Sequence, residues 1–531
     1  MLHSLLRPAV VLGIVLAAAT PCLPGSVGEV HFPTSCAPQV QERFDRAVAH
    51  LHHMMYAHAE AAFREVAASD PQCVMAWWGV AMTRFHPLWA PPDDEDLRAG
   101  TEALGKARAL HPATPRERAF LSAAGAYYRD AAGRSHPTRL LAWEAAQRAV
   151  FDAWPEDPDA LAFYALARLA TADKGDKGFR QQREVADLLD TLRLRHPRHP
   201  AGFHYLLHAC DNPALAQRGL EAARGYADIA PDVPHALHMP SHIFVRLGLW
   251  NETAAWNARS AAAALALSPD LPSLHYLHAL DYEVYAYLQL GRDEEAGPLV
   301  ETIRRLPRVQ DSFASAYALA ASTARPSLER REWGQAARLL LPLAERFPWE
   351  KYPWFESVYW FARGLGAARS GDAGSAREAA ARLAKQHSRS VEAGESYWAV
   401  LVDARRRTVE AWAALAEGDR DVAVAGMAEA AEVEESVDKH PVTPGEPLPA
   451  RELLGDMLLE VGRASEALAA YRAALRRAPG RLNTLYGAGR ACEALGDREG
   501  ARAYYEKLLG GVASESRRPA VLHARAYVGG G

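Results

Sequence analysis

Histidine placement is where this sequence offers chemistry. Of its 21 histidines, twelve fall in two short zones. The first holds His50, His52, His53, His58 and His86; the second holds His204, His208, His235, His238, His242, His275 and His278, in the stretches HYLLHACD, HALHMPSHIF and HYLHALDY. Neutral imidazole binds copper, zinc, iron or nickel, and nearby carboxylates such as Asp211 and Asp281 either ligate an ion or orient the rings. Met54, Met55, Met75, Met82 and Met239 lie beside these zones, and thioether together with imidazole favours copper, with zinc or iron as alternatives. The residues expected to hold a transition metal are therefore His204, His208, His238, His242, His278, Asp211, Asp281, His52 and His86.

A plainer reading stands beside this one. A histidine in a helical repeat ordinarily bonds a carbonyl or caps a helix, and repeat expansion can copy a structural histidine with no metal involved. His50, His53, His58, His111, His136, His196, His199, His235, His387, His440 and His523 are read this way. The other chemistry weighed is absent: no phosphate-binding glycine loop, no dinucleotide fingerprint, no GxSxG elbow and no CxxCH occur. HALHMPSH lacks the glutamate of HExxH, and Ser241 and His242, as neighbours on a helix, point apart. Ser241 reads as a cap and His86-Pro87 as a helix stop whose imidazole bonds a terminal carbonyl.

Spacing then says what must position the rings. His52 to His86, His204 to His238 and His208 to His242 are each 34 residues apart, and His242 to His278 is 36. Residues one repeat apart in a solenoid occupy equivalent places on adjacent units, about 10 Å from one another, a gap that long side chains can close. His204 and His208 sit one helical turn apart on a single face, and His275, His278 and Asp281 share a stripe. Pro240 is expected to open a helix, with His238 just before it and His242 in its first turn. Trp77, Trp78, Trp89, Phe203, Tyr205 and Phe244 would surround such a site or simply form core.

The repeat itself is clearest near the C-terminus. Leu454, Gly455, Gly462, Ala467, Tyr471, Ala474 and Pro479 are followed 34 residues later by Gly489, Gly496, Ala501 and Tyr505. Weaker copies run through Gly364, Gly371 and Ala376, through Gly291 and Ala296, and through Ala59, Phe63 and Pro71. This pattern resembles the tetratricopeptide repeat, which implies an all-α, right-handed α-solenoid of helical hairpins whose concave groove receives a peptide or partner protein. The stretches FDRAVAHLHHMMYAHAEAAFREVAASDPQCVMAWWGVAM, HPLW, HALHMPSHIFVRLGLW and LHALDYEVYAYLQLGR further resemble a largely uncharacterised group of exported bacterial repeat proteins. The positions recurring in that group correspond to Cys36, His52, Cys73, Trp78, Gly79, His86, Pro87, His204, His208, His238, Pro240, Ser241, His242, His278 and Asp281. The resemblance implies a histidine-lined feature and names no reaction.

Composition narrows the rest. Alanine, leucine, arginine and glutamate dominate the 531 residues, which favours helix, and a net charge of −5 with interleaved signs argues against nucleic acid. Arg7, the apolar run Pro8–Ala19 and the small residues that follow have the layout of a secretory signal peptide, placing the chain in the periplasm or outside the cell and leaving no membrane span after cleavage. Cys22 leaves with that segment; Cys36 and Cys73 flank the first hairpin and either pair in an oxidising compartment or stay buried thiols. The expected organisation is a signal peptide over 1–28, a solenoid body over 29–436, a Pro-rich linker over 437–450, two repeats over 451–515 and a tail over 516–531. Two functions remain: a transition-metal site in the N-terminal body, or a metal-free protein-interaction scaffold. Self-assembly is compatible with either, and whether there is catalysis is left open.

Overall fold

The computed structural model describes residues 25–530 apart from 90, 174 and 344–345. The expected signal segment, with Cys22, therefore lies almost wholly outside the described residues. Its described residues, 25–28, pack on the body: Val27 is buried and its carbonyl accepts from His53 Nε2 at 2.9 Å, while Ser26 Oγ donates to the Ile229 carbonyl at 2.9 Å.

Every regular element among the described residues is a helix, and consecutive helices pack on one another as hairpins. The turn glycines explain the hairpins. Gly462, between the helices Ala450–Glu460 and Ala464–Arg477, has φ 82°, and Gly496, one repeat later, has φ 75°, a left-handed conformation that a side chain disfavours. Crossing glycines explain the close packing. The Tyr471 ring lies on Gly455 and Gly487, where a Cβ would come within 2.6 and 2.3 Å of it, and Phe63 lies on Gly79 in the same way at 2.4 Å. A disulfide joins Cys36 to Cys73 and closes the first hairpin.

The apolar interior has two large cores, with two small clusters, one from Val245 to Leu290 and one from Val284 to Val300, beside them. One core runs from Val27 to Phe244, the other from Ala261 to Val521 and Ala524, and the helix Trp250–Leu267 lies at the boundary. The stretch expected to be a linker does not sit at a boundary. Residues 437–449 contain no helix, yet they are packed against helices of the body: Tyr282 Oη donates to the carbonyls of Pro441 (2.9 Å) and Thr443 (3.0 Å), and Arg325 donates to the Gly445 carbonyl at 2.8 Å. Proline removes backbone donors, and here the carbonyls left over are taken up by buried tyrosine and arginine side chains. The expected tail forms a helix, Pro519–Gly529, anchored through the Arg518–Asp293 ion pair at 2.5 Å. No helix among the described residues is long and apolar enough to cross a membrane.

Candidate metal centre

Four short segments bring seven histidines together. The helix Pro200–Cys210, opened by a proline at its first position, carries His204 and His208 on one face. The five-residue helix Pro234–His238 carries His235 and His238. Met239 keeps helical angles (φ −53°, ψ −36°), and Pro240 then opens Pro240–Leu247 with His242 in its first turn. Having no N–H, Pro240 breaks the helical ladder; Ser241, expected as a cap, lies inside the helix that Met239 precedes, and its Oγ donates to the His238 carbonyl at 2.5 Å. The helix Leu274–Gln289, capped by Ser273, brings in His275 and His278.

The rings fall into two groups of three. In each of His204, His208, His235 and of His238, His242, His278, one ligand atom per residue lies within 4.8 Å of the other two. All six are buried except His208, which is partly exposed. Hydrogen bonds fix how several of the rings face. His204 Nδ1–H donates to the His52 carbonyl at 2.6 Å, His242 Nδ1–H to Asp211 Oδ2 at 2.9 Å, and His238 Nδ1–H to Asn257 Oδ1 at 2.7 Å. Asn257 is held the right way round because its Nδ2 donates to the Thr253 carbonyl. With Nδ1 carrying the proton, Nε2 of each ring is a bare lone pair.

These lone pairs point at other ring nitrogens. His238 Nε2 and His242 Nε2 are 3.0 Å apart, and His204 Nε2 is 3.1 Å from His208 Nε2. For the first of these contacts neither partner has a proton to give. Burial, reinforced by neighbouring imidazoles, pushes the basicity of His204, His235, His238 and His278 well below the ordinary range, and that of His208 down to about 3. An extra proton therefore does not relieve the repulsion. Both ring nitrogens of His235 and Nδ1 of His278 are also buried without a partner. Two nitrogens bound to one ion at about 2.0–2.1 Å stand roughly 3.3 Å apart at a tetrahedral angle, so the arrangement suits a shared cation.

The other expected ligands have different positions. Asp211 does not join a group; it orients His242 and is itself held by Arg246 Nε at 2.8 Å and Lys439 Nζ at 3.3 Å. Burial would raise its carboxyl, but Lys439, Arg246 and His242 hold it well below the usual range. Asp281 shares the helix of His278, but it pairs with Arg325 at 3.2 Å, because a guanidinium from the next buried helix reaches it. His52 lends its carbonyl to His204 and uses its ring elsewhere, accepting from Tyr205 Oη and donating to Asp159 Oδ1, both at 2.9 Å. His199 completes that third group with Asp159 at 3.4 Å. His86 Nε2 donates to the Thr83 carbonyl at 3.0 Å and stops the helix Val74–Thr83, so the 34-residue spacing from His52 does not bring the two rings together.

His235 is the group member that sequence reasoning set aside. Its signal was present: His235 precedes His238 by three, as His275 precedes His278, and the His235 and His275 rings lie 5.4 Å apart. Asn257 had no signal.

Residues 482–510 match the tetratricopeptide repeat family. No curated protein sequence matches the chain. Among solved structures, it is similar to human IFIT1, described as a dimer with m7Gppp-AAAA, at 14% identity and TM-score 0.38 over 82% of this chain and 90% of that one. It is similar to the APC/C hetero-tetramer Cut9–Hcn1 at 11% identity and TM-score 0.29, over 92% and 89%. It is similar to Naa15/Naa10 bound to HypK-THB at 15% identity and TM-score 0.24, over 92% and 72%. The helical hairpins and the matched segment together make this chain an all-α repeat protein that carries a tetratricopeptide repeat near its C-terminus.

Proposed function

We propose that this repeat protein binds transition metal in the segment 200–280, with the two groups of imidazoles as its ligands. One observation carries the reading: Nε2 of His238 and Nε2 of His242, both unprotonated acceptors, face each other at 3.0 Å in a buried place. Copper is the favoured ion, because an all-imidazole donor set suits copper, zinc and iron, and among divalent ions copper binds such sets most tightly. Asp211, Asn257 and the His52 carbonyl act on the rings through Nδ1, fixing tautomer and orientation. Export is part of the same reading and rests on the N-terminal sequence pattern and the Cys36–Cys73 pair. The test is elemental analysis of untagged protein, first as purified and then after chelation and reloading with copper or zinc. Stoichiometric metal that His242→Ala lowers while helix content is retained supports the reading. Absence of uptake by the folded protein sinks it.

A second reading, a metal-free scaffold for a peptide or partner protein, has one observation in its favour. A groove of about 1250 Å³ opens in the C-terminal half, lined among others by Arg331, Trp333, Asn483, Tyr486, Arg490 and Arg518. Arg490→Glu that abolishes capture of a partner, with metal content unchanged, would support it; both functions can coexist because the groove shares no residue with the imidazole groups.

A further inference from the structure

Resting on the metal-binding reading, we infer that the imidazoles hold two ions as a coupled pair, and that the pair takes a small bridging anion as its exogenous ligand. The count of donors is the first ground. Six imidazoles are too many for one four-coordinate ion, and they are already divided three and three. Each group has the same construction: two histidines four residues apart, plus a third from a neighbouring helix. His204 and His208 recur 34 residues later as His238 and His242, so the repeat builds the same half-site twice on adjacent units.

Nearness is the second ground. The His208 and His242 ring centres are 6.4 Å apart, and those of His235 and His238 are 6.2 Å apart. Within one group, His242 and His278 are also separated by 6.2 Å. The space between the groups is therefore scarcely wider than the space inside one. His235 and His238 further belong to one five-residue helix, so the two half-sites share a rigid element.

Charge supplies the third. Three neutral nitrogens leave each ion a free coordination position and no compensating charge. No carboxylate belongs to either group, and the nearest one fixed by contact, Asp211, is already met by Arg246 and Lys439. Two divalent cations in this aromatic enclosure, walled by Tyr226 and Tyr282, need an anion between them. Hydroxide or azide has the size and charge to bridge two ions.

The test uses the full-length, metal-free protein loaded with cupric ion and desalted. The expected result is two coppers per chain, with an electron paramagnetic resonance signal integrating to less than roughly a tenth of the bound copper, as bridged ions of a two-metal site couple their spins. Azide should titrate to one per copper pair with a new charge-transfer band. His208→Ala should keep one copper and make it fully visible by resonance, with helix content by circular dichroism unchanged. Saturation at one copper per chain, or two coppers with full signal intensity, overturns the pair and leaves the metal-binding reading standing. A folded protein that retains no copper overturns that parent reading instead.

Discussion

The two halves of the molecule use buried polarity in opposite ways. In the C-terminal half, fully buried Arg481 is met by Glu329 and Glu452, each at 2.9 Å, and Arg331 reaches Glu452 and Asp456 at 2.8 and 2.9 Å. Thr484 donates to Glu452, and Asn483 to Glu329 at 3.0 Å. The charges of this network are paired, which fixes the hairpins against one another. In the N-terminal half the same repeat buries neutral rings whose acceptor nitrogens face each other or face nothing. A network that closes on itself makes a scaffold, whereas one that does not close needs something from outside.

Several measurements would break or sharpen that contrast. The largest effect should come from Arg481→Ala, which leaves buried Glu329 without its ion-pair partner and Glu452 with Arg331 alone; unfolding in urea should show a loss of about 3–5 kcal/mol, unaltered by added metal. Next, replacing both Cys36 and Cys73 by serine opens a 37-residue loop and should lower the stability of the N-terminal half by about 3–4 kcal/mol. Copper at a hundredfold excess over its dissociation constant should stabilise the wild type by about 2.7 kcal/mol in thermal unfolding for each ion bound, and His242→Ala, which dismantles one of the two groups, should reduce that gain. Gly487→Ala, which drives a methyl into the Tyr471 ring, should cost about 1–3 kcal/mol without touching metal content.

The last effect is a slope in pH, and its sign should differ between elements. Burial, with His53, Arg46 and His58 adding to it, pushes His50 down to about 3, and burial pushes His53 down to about 4. Below pH 6.5 the unfolded chain takes protons that the folded rings refuse. Their contribution is thus complete above pH 6.5 and fades as pH falls from 6.5 to about 4 for His53 and about 3 for His50, at about 1.4 kcal/mol per pH unit for each ring. Glu434 is pushed up to about 8 by burial and by Glu446. Its contribution is present below its unfolded value near 4.5 and is lost as pH rises toward 8. Urea titrations of the metal-free protein across pH 4–8 should show the first slope weakened in His53→Gln and the second weakened in Glu434→Gln.

Much of this was legible from sequence because it is local or periodic. Gly455 and Tyr471 are close in the chain, so their contact leaves a short-range pattern, and the 34-residue interval of His204 with His238 reports adjacent units directly. What failed depended on distant partners. Asp281 lies on the same stripe as His278, but Arg325, 44 residues away, takes it. Asn257 is an ordinary residue whose role comes only from packing against His238. The Pro-rich stretch read as a linker because composition reports backbone propensity and is silent about which side chains cover a carbonyl.

That stretch also sets an order of events. The helical pairs can form one after another as the chain is made, since each packs mainly on its neighbours. Asp211, which orients His242, meets Lys439 across 228 residues of chain, and Arg246 meets Asp438 across 192. The electrostatic setting of His242 is therefore finished only after nearly the whole protein has been synthesised. A nascent or truncated chain ending before residue 437 would present its histidines without that lock, and maturation of the centre becomes a late, chain-length-dependent step.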